Sequence, residues 1–160
     1  MNFKQLAVAT VLGATMTLAG CGTEPEAVVE AEPEGIPGMS VENARLVLPP
    51  VSGNPAAVYF DLTYEGDKGL SIRRADVAGA DEAQLHAYGE YDGKMVMAEA
   101  MPIALRKGTE VSFKPGDLHV MAFGLPETVA AGDSVEVTLT VSGGDKYSFD
   151  AEVRAAGDAR

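Results

Sequence analysis

Both histidines of this 160-residue chain lie in segments that also contain methionine. His119 and Met121 are separated by one residue in LHVMAFG, and ten residues separate His86 from Met97. Side chains two positions apart in a strand point to the same face, so His119 and Met121 are expected to lie together. Imidazole and thioether suit Cu(I), whereas hard cations such as Mg²⁺ prefer oxygen and zinc rarely recruits thioether. These four residues are the first candidates for chemistry in the sequence.

A hairpin predicted at Asp92-Gly93 would bring His86 and Met97 together. This dipeptide is a strong signal for a two-residue turn, and strand-like sequence flanks it. Such a turn pairs Tyr88 with Met97 and His86 with Glu99. His86 and Met97 would then lie diagonally on one face, about 7–8 Å apart, where long side chains can converge on one atom.

Packing is the alternative explanation for this clustering. Methionine is a flexible filler of irregular cores, and Met95, Met97 and Met101 could fill gaps near one hairpin. A single histidine on a strand is more often hydrogen-bonded or solvated than bound to a metal. The residue types and their spacing leave both interpretations open. If the histidines do bind a metal, protonation should compete with it, and binding should weaken below about pH 6.

Short alternating segments separated by turns predict an all-β fold. AAVYFDLTY at 56–64 is typical of a strand, and alternation over 135–141 and 147–153, around Gly143-Gly144, predicts a hairpin. About eight strands at this spacing predict an antiparallel β-sandwich with Greek-key connections. We expect one folded domain over residues 39–153, followed by a frayed tail over 154–160.

The first residues have the pattern of a signal peptide, predicted over 1–20. A lysine precedes an apolar stretch that is short for a membrane-spanning helix. The stretch ends in Leu18-Ala19-Gly20-Cys21, which resembles the bacterial lipobox and predicts lipidation of Cys21. A simple secretory signal or an uncleaved anchor is the alternative. Residues 21–38 are rich in glutamate and proline, so they are expected to form an unfolded tether.

Composition excludes several classes of function. A net charge of −12 argues against binding to nucleic acid or to anionic lipid headgroups. Cys21 is the only cysteine, so a lipidated chain has no disulfide and no thiolate nucleophile. A blue-copper electron-transfer site needs a cysteine thiolate, so that class is also excluded. No Ser/His/Asp arrangement, phosphate-binding loop or spaced carboxylate cluster is present, and we predict that the protein is not an enzyme.

The spacing of the four candidates matches a family signature, H-x10-M-x21-H-x-M, from His86 through Met97 and His119 to Met121. The chain resembles the periplasmic copper chaperones, or PCuAC proteins, that serve the CuA centre of cytochrome c oxidase. The segments NPAAVYFDL and KPGDLHVMAFGL and the C-terminal strand pair are also similar. The resemblance covers about residues 38–153.

This resemblance implies a cupredoxin-like β-sandwich in which His86, Met97, His119 and Met121 bind Cu(I) at one exposed end. It also implies delivery of copper to the CuA subunit of the oxidase, directly or together with a thiol-bearing partner. We further expect a monomer on the periplasmic side of a bacterial membrane, attached through its lipid alone. A copper store or resistance protein with the same ligands, and a metal-free envelope-binding sandwich, are the alternatives.

Two features depart from the family pattern or fall outside it. Many members have methionine directly after the first histidine, where this chain has Ala87, and many lack a lipobox. Met95 and Met101 match no ligand position of the signature. Packing is the expected role of both, and a substitute or transient ligand is the alternative role for Met95.

Overall fold

The computed structural model describes residues 35–158, in which the regular elements are ten β-strands and no helix is present. The all-β prediction is confirmed. The strands are β1 (Met39–Val47), β2 (Ala56–Tyr64), β3 (Leu70–Val77), β4 (Glu82–Tyr91), β5 (Lys94–Glu99), β6 (Ile103–Leu105), β7 (Thr109–Phe113), β8 (His119–Phe123), β9 (Ser134–Val141) and β10 (Lys146–Arg154).

The strands follow the order β5-β4-β8-β2-β1-β10-β9-β3-β6, with β7 also pairing β2. Several neighbours are remote in sequence, as in the predicted sandwich with Greek-key connections. The pairings are antiparallel except that of β1 with β10, which is parallel. Strands β7 and β8 lie along the same edge of β2, and the turn at 114–118 separates them.

Alternation of apolar and polar residues decides which face of each strand is buried. Along β2 the side chains at 56, 58, 60, 62 and 64 are buried, and along β9 those at 135, 137, 139 and 141. Phe60 lies at the centre of this core, stacked on Phe113 with ring centroids 4.0 Å apart. Phe149 reaches the same ring at 4.9 Å from β10, which is not a neighbour of β2, so the sheet folds over its own apolar face.

The N-terminal edge of the described region packs into the domain before β1 begins. Ile36 is buried, and Gly38 adopts a positive φ of 83° beside Gly66, where a Cβ would lie 2.4 Å from the Gly66 nitrogen. The predicted signal peptide, Cys21 and most of the predicted tether lie outside the described residues. Within residues 35–158, no helix has the length and apolar character needed to cross a membrane.

Truncation of Phe60 to alanine should lower the free energy of unfolding by about 3–5 kcal/mol, because it leaves a cavity beside the rings of Phe113 and Phe149. Denaturant unfolding followed by circular dichroism measures this change. Truncation of Val51, which is 60% exposed, is the control and should change stability by no more than about 0.5 kcal/mol. A similar small effect at Phe60 would contradict the packing described above.

Asp61 should make stability depend on pH in the acid range. Its carboxylate accepts hydrogen bonds from Ser112 of β7 and from Asn43 Nδ2 at 2.9 Å, and these bonds lower its pKa. The folded protein therefore binds a proton at Asp61 less readily than the unfolded chain, so this stabilisation is present at neutral pH and is lost in acid.

Replacement of Asp61 by alanine should cost about 1 kcal/mol or less at pH 7, because the group is exposed and screened by solvent. The difference from the native protein should shrink as the pH falls toward about 3. Denaturant titrations at several pH values test this. Alanine at exposed Asp150, which makes no side-chain hydrogen bond among the described residues, is the control. A cost at Asp61 that does not vary with pH would rule out the carboxylate as its origin.

Candidate metal centre

The pairing of β4 with β8 places the two histidines directly opposite each other. In the antiparallel register His86 faces His119, and the preceding pair is Leu85 with Val120. Leu85 and Val120 are buried in the core, so alternation directs both imidazoles to the other face of the sheet. Their ring centroids are 5.9 Å apart with an interplanar angle of 74°. Residues 33 positions apart in the sequence thus form one cross-strand pair.

The predicted hairpin and its register are confirmed. Asp92 and Gly93 adopt positive φ values of 51° and 71°, as a type I′ turn requires. Tyr88 is opposite Met97 and His86 is opposite Glu99. Met97 therefore lies diagonally from His86, on the same face of the sheet.

The last predicted residue, Met121, shares this face on β8. It is two residues from His119 and lies opposite Gln84, so it is a diagonal neighbour of His86 on the other side from Met97. The four predicted residues therefore lie on one face of the adjacent strands β5, β4 and β8, with His86 on the central strand. The structure brings them together; their role as metal ligands stays a prediction.

Exposure increases across this face from β8 to β5. His119 is 4% exposed and is the only buried polar or charged residue in the described part of the chain. His86 and Met121 are half-buried, and Met97 is 43% exposed. Strand β5 lies at the edge of the sheet, and all six of its residues are exposed. The face is thus enclosed at His119 and open to solvent at Met97.

Hydrogen bonds fix which nitrogen of each imidazole is free. Nδ1 of His119 donates to the backbone carbonyl of Asp117 at 2.7 Å, because a carbonyl can only accept, and this leaves Nε2 unprotonated in the neutral ring. Nε2 of His86 lies 2.8 Å from Oε1 of Gln84. The other nitrogen of His86, Nδ1, is buried and has no hydrogen-bond partner. A buried polar atom without a partner costs free energy and points to a bound group.

The environment of His86 keeps its ring neutral. Burial lowers the pKa of His86, and the nearby His119 lowers it further, while Glu99 opposes both effects. A neutral imidazole offers a lone pair to a metal, whereas an imidazolium offers none. The electrostatics of this face therefore favour the metal-binding form of the ring.

Aromatic side chains surround the histidine pair. The ring of Tyr88 lies 5.7 Å from that of His119, and the ring of Tyr59 lies 6.4 Å from it on the opposite side. Phe123 lies 6.4 Å from His86. The guanidinium of Arg45 lies 5.2 Å above the Tyr59 ring. These rings limit the access of water to the imidazoles.

The donors on this face suit a soft cation of low charge. Two imidazole lone pairs and two thioethers are all uncharged, and thioether sulfur prefers Cu(I) to hard ions. No group of three or more His, Cys, Asp or Glu side chains is placed to hold a metal within residues 35–158. The unpartnered Nδ1 of His86 and the free Nε2 of His119 are consistent with a metal between the strands, so the residues present fit the group.

The packing role expected for Met95 and Met101 is wrong. Met95 is 66% exposed and Met101 is 82% exposed. Met95 is exposed because β5 is an edge strand with solvent on both faces, and Met101 lies between the end of β5 and the start of β6. Neither feature can be read from the local sequence. Sequence reasoning also missed Gln84, which contacts His86; its position two residues before a histidine, on the same face of a strand, was the available signal.

The fold is a PCuAC-type β-sandwich, as the similar solved structures show. The apo PCuAC domain from PmoF1 is 21% identical and covers 76% of this chain and 97% of its own, with a TM-score of 0.62. The copper-bound PCuAC domain from PmoF2 is 20% identical over 76% and 96%, with a TM-score of 0.61. The solution structure of CuI-DR1885 from Deinococcus radiodurans is 23% identical over 78% and 83%, with a TM-score of 0.58.

Residues 39–153 match the family described as putative lipoprotein LpqE-like, and the chain belongs to that family. A putative lipoprotein of Leifsonia xyli subsp. xyli is 29% identical over 142 residues, which cover 88% of this chain and 84% of the relative. The PCuAC resemblance stated from the sequence is confirmed by this family and by the shared fold.

Exposure predicts the order in which the methionines on this face, and Met101 between β5 and β6, react with hydrogen peroxide. Met101 and Met95 should form sulfoxide first, Met97 should follow, and the half-buried Met121 should be slowest, because oxidation requires access to sulfur. Peptide mass spectrometry over a time course measures each rate in the metal-free protein. Equal rates at Met121 and Met101 would contradict the enclosure of the β8 side.

Proposed function

We propose that this protein is an extracytoplasmic copper chaperone that holds Cu(I) between His86, Met97, His119 and Met121. The observation that carries the proposal is the cross-strand histidine pair, in which each ring presents an unprotonated nitrogen and one of these nitrogens is buried without a partner. Two methionines lie diagonally on the same face and supply the soft donors that Cu(I) prefers.

The similar proteins support this proposal. The structures of the PmoF2 domain and of DR1885 are described as copper-bound and CuI-bound, and both share the fold of this chain. The family and its Leifsonia xyli relative are described as putative lipoproteins, in agreement with a lipid on Cys21. We propose that the lipid attaches the protein to the periplasmic side of a bacterial membrane and that the protein is a monomer there.

The proposed mechanism is exchange of ligands around an ion that keeps its +1 charge. Met97 lies on the exposed edge strand, so its bond to copper is the first that a recipient can replace. His119 is the most enclosed donor and is expected to release the ion last. A recipient thiolate binds Cu(I) more strongly than a thioether, so transfer toward the CuA subunit, directly or through a thiol-bearing partner, is favourable. Only metal–ligand bonds are exchanged, and no bond within the protein is made or broken.

An anaerobic Cu(I) titration against a competing chelator tests the ligand set. The native protein should bind one equivalent with high affinity. Alanine at His86 or His119, or leucine at Met97 or Met121, should weaken binding by more than the roughly 10–100-fold expected for loss of an outer-shell partner. The control is Met101→Leu, which removes an exposed thioether outside the set. Equal effects of Met101→Leu and Met97→Leu would contradict the assignment of Met97.

A second experiment separates delivery from storage. The Cu(I)-loaded protein is mixed with the purified copper-free CuA domain of an oxidase, and the CuA absorption bands are recorded after oxidation. Transfer at a rate above that of free Cu(I) release into a chelator supports a chaperone. Retention of the ion despite a stable CuA acceptor favours a copper store, and absence of Cu(I) binding favours the metal-free envelope protein.

A further inference from the structure

We propose that Gln84, oriented by Glu82, is a positioning residue that fixes the tautomer of His86 and makes Nδ1 its metal-binding nitrogen. This inference rests on the proposed function for its role in copper binding. The two histidines then bind the ion through different ring nitrogens, His86 through Nδ1 and His119 through Nε2. Neither Gln84 nor Glu82 belongs to the four residues of the family signature.

The orientation of the Gln84 amide is set by Glu82. Its Nε2 lies 2.8 Å from Oε1 of Glu82. An ionised carboxylate can only accept, so the group that faces Glu82 is the NH₂ of the amide. The opposite orientation would place two oxygens against each other. Glu82 therefore determines that the amide oxygen, and not the nitrogen, points toward His86.

This orientation of the amide determines which nitrogen of the His86 ring is protonated. The amide oxygen of Gln84 lies 2.8 Å from Nε2 of His86. An amide oxygen can only accept, so Nε2 is the protonated nitrogen of the neutral ring and Nδ1 holds the lone pair. That lone pair belongs to the buried nitrogen that has no partner in the described part of the protein.

The three residues form a ladder along one strand. Glu82, Gln84 and His86 alternate along β4 and therefore lie on the same face, so each hydrogen bond joins residues two positions apart. His119 has the opposite tautomer because its Nδ1 donates to the backbone carbonyl of Asp117, within the turn at 114–118. Different hydrogen bonds thus fix the tautomers of the two rings. The nitrogen with the free lone pair is Nδ1 in His86 and Nε2 in His119.

Nuclear magnetic resonance of the whole protein, labelled with ¹⁵N, tests the tautomers without metal. Long-range couplings from the ring nitrogens to the carbon-bound protons should show Nε2 protonated in His86 and Nδ1 protonated in His119. Because Cu(I) is diamagnetic, the same spectra of the loaded protein should show the proton still on Nε2 of His86. A proton on Nδ1 of His86 in the native protein would overturn the proposal.

Three variants separate positioning from folding. Gln84→Leu keeps the size of the side chain but removes the acceptor, so the hydrogen-bonded Nε2 proton should be lost and Cu(I) affinity should fall roughly 10–100-fold. Gln84→Glu combined with Glu82→Gln keeps an acceptor beside His86 and a donor between the two side chains, so this double variant should restore both properties. Glu82→Leu, which frees the amide to rotate, should give an intermediate affinity. Circular dichroism and thermal unfolding of each variant show whether the fold is intact.

The outcomes distinguish this inference from the proposed function. A native protein that fails to bind Cu(I) removes the copper chaperone, while the tautomer assignment is still decided by the metal-free spectra. Unchanged Cu(I) affinity in Gln84→Leu with an unchanged tautomer would overturn the positioning role and leave the chaperone intact. Failure of the Glu82→Gln, Gln84→Glu double variant to restore affinity in a folded protein would also overturn it.

Discussion

The cross-strand pair of His86 and His119 is the constraint on which the site depends. The backbone register of β4 against β8 fixes this pair, and a slip of β4 by one residue would direct His86 into the apolar core and Leu85 toward the aromatic face. Burial of Leu85 and Val120 therefore enforces the register that positions the imidazoles. The paired strands β4 and β8 thus contribute to the hydrophobic core on one face and to the candidate metal centre on the other.

The asymmetry of the face follows from the position of its strands in the sheet. β8 lies between β4 and β2, so His119 is enclosed on both sides by neighbouring strands and by the ring of Tyr59. β5 has a neighbour on only one side, so Met97 is half in solvent. A carrier must both retain an ion and release it. A ligand set that is enclosed at one end and accessible at the other meets both requirements without any change of fold.

Local residues then refine the chemistry that the register permits. The turn at 114–118 brings the Asp117 carbonyl to His119, and the alternation of β4 brings Gln84 to His86. Both contacts hold a neutral ring in one tautomer, and burial lowers the pKa of His86 in support of the same state. The donors remain uncharged, in agreement with a soft cation of charge +1.

The sequence by itself determined the all-β class, the turn at Asp92-Gly93 and the shared face of His86 and Met97, because turn chemistry and the two-residue period of strands are local properties. Only the tertiary structure decided that β4 pairs with β8, since pairing between distant strands depends on burial of the whole core. For the same reason the sequence could not show that β5 is an edge strand, so the exposure of Met95 was missed, as was that of Met101 between β5 and β6. It also could not show the unpartnered nitrogen of His86, because a missing hydrogen bond depends on every neighbour that packs around the ring.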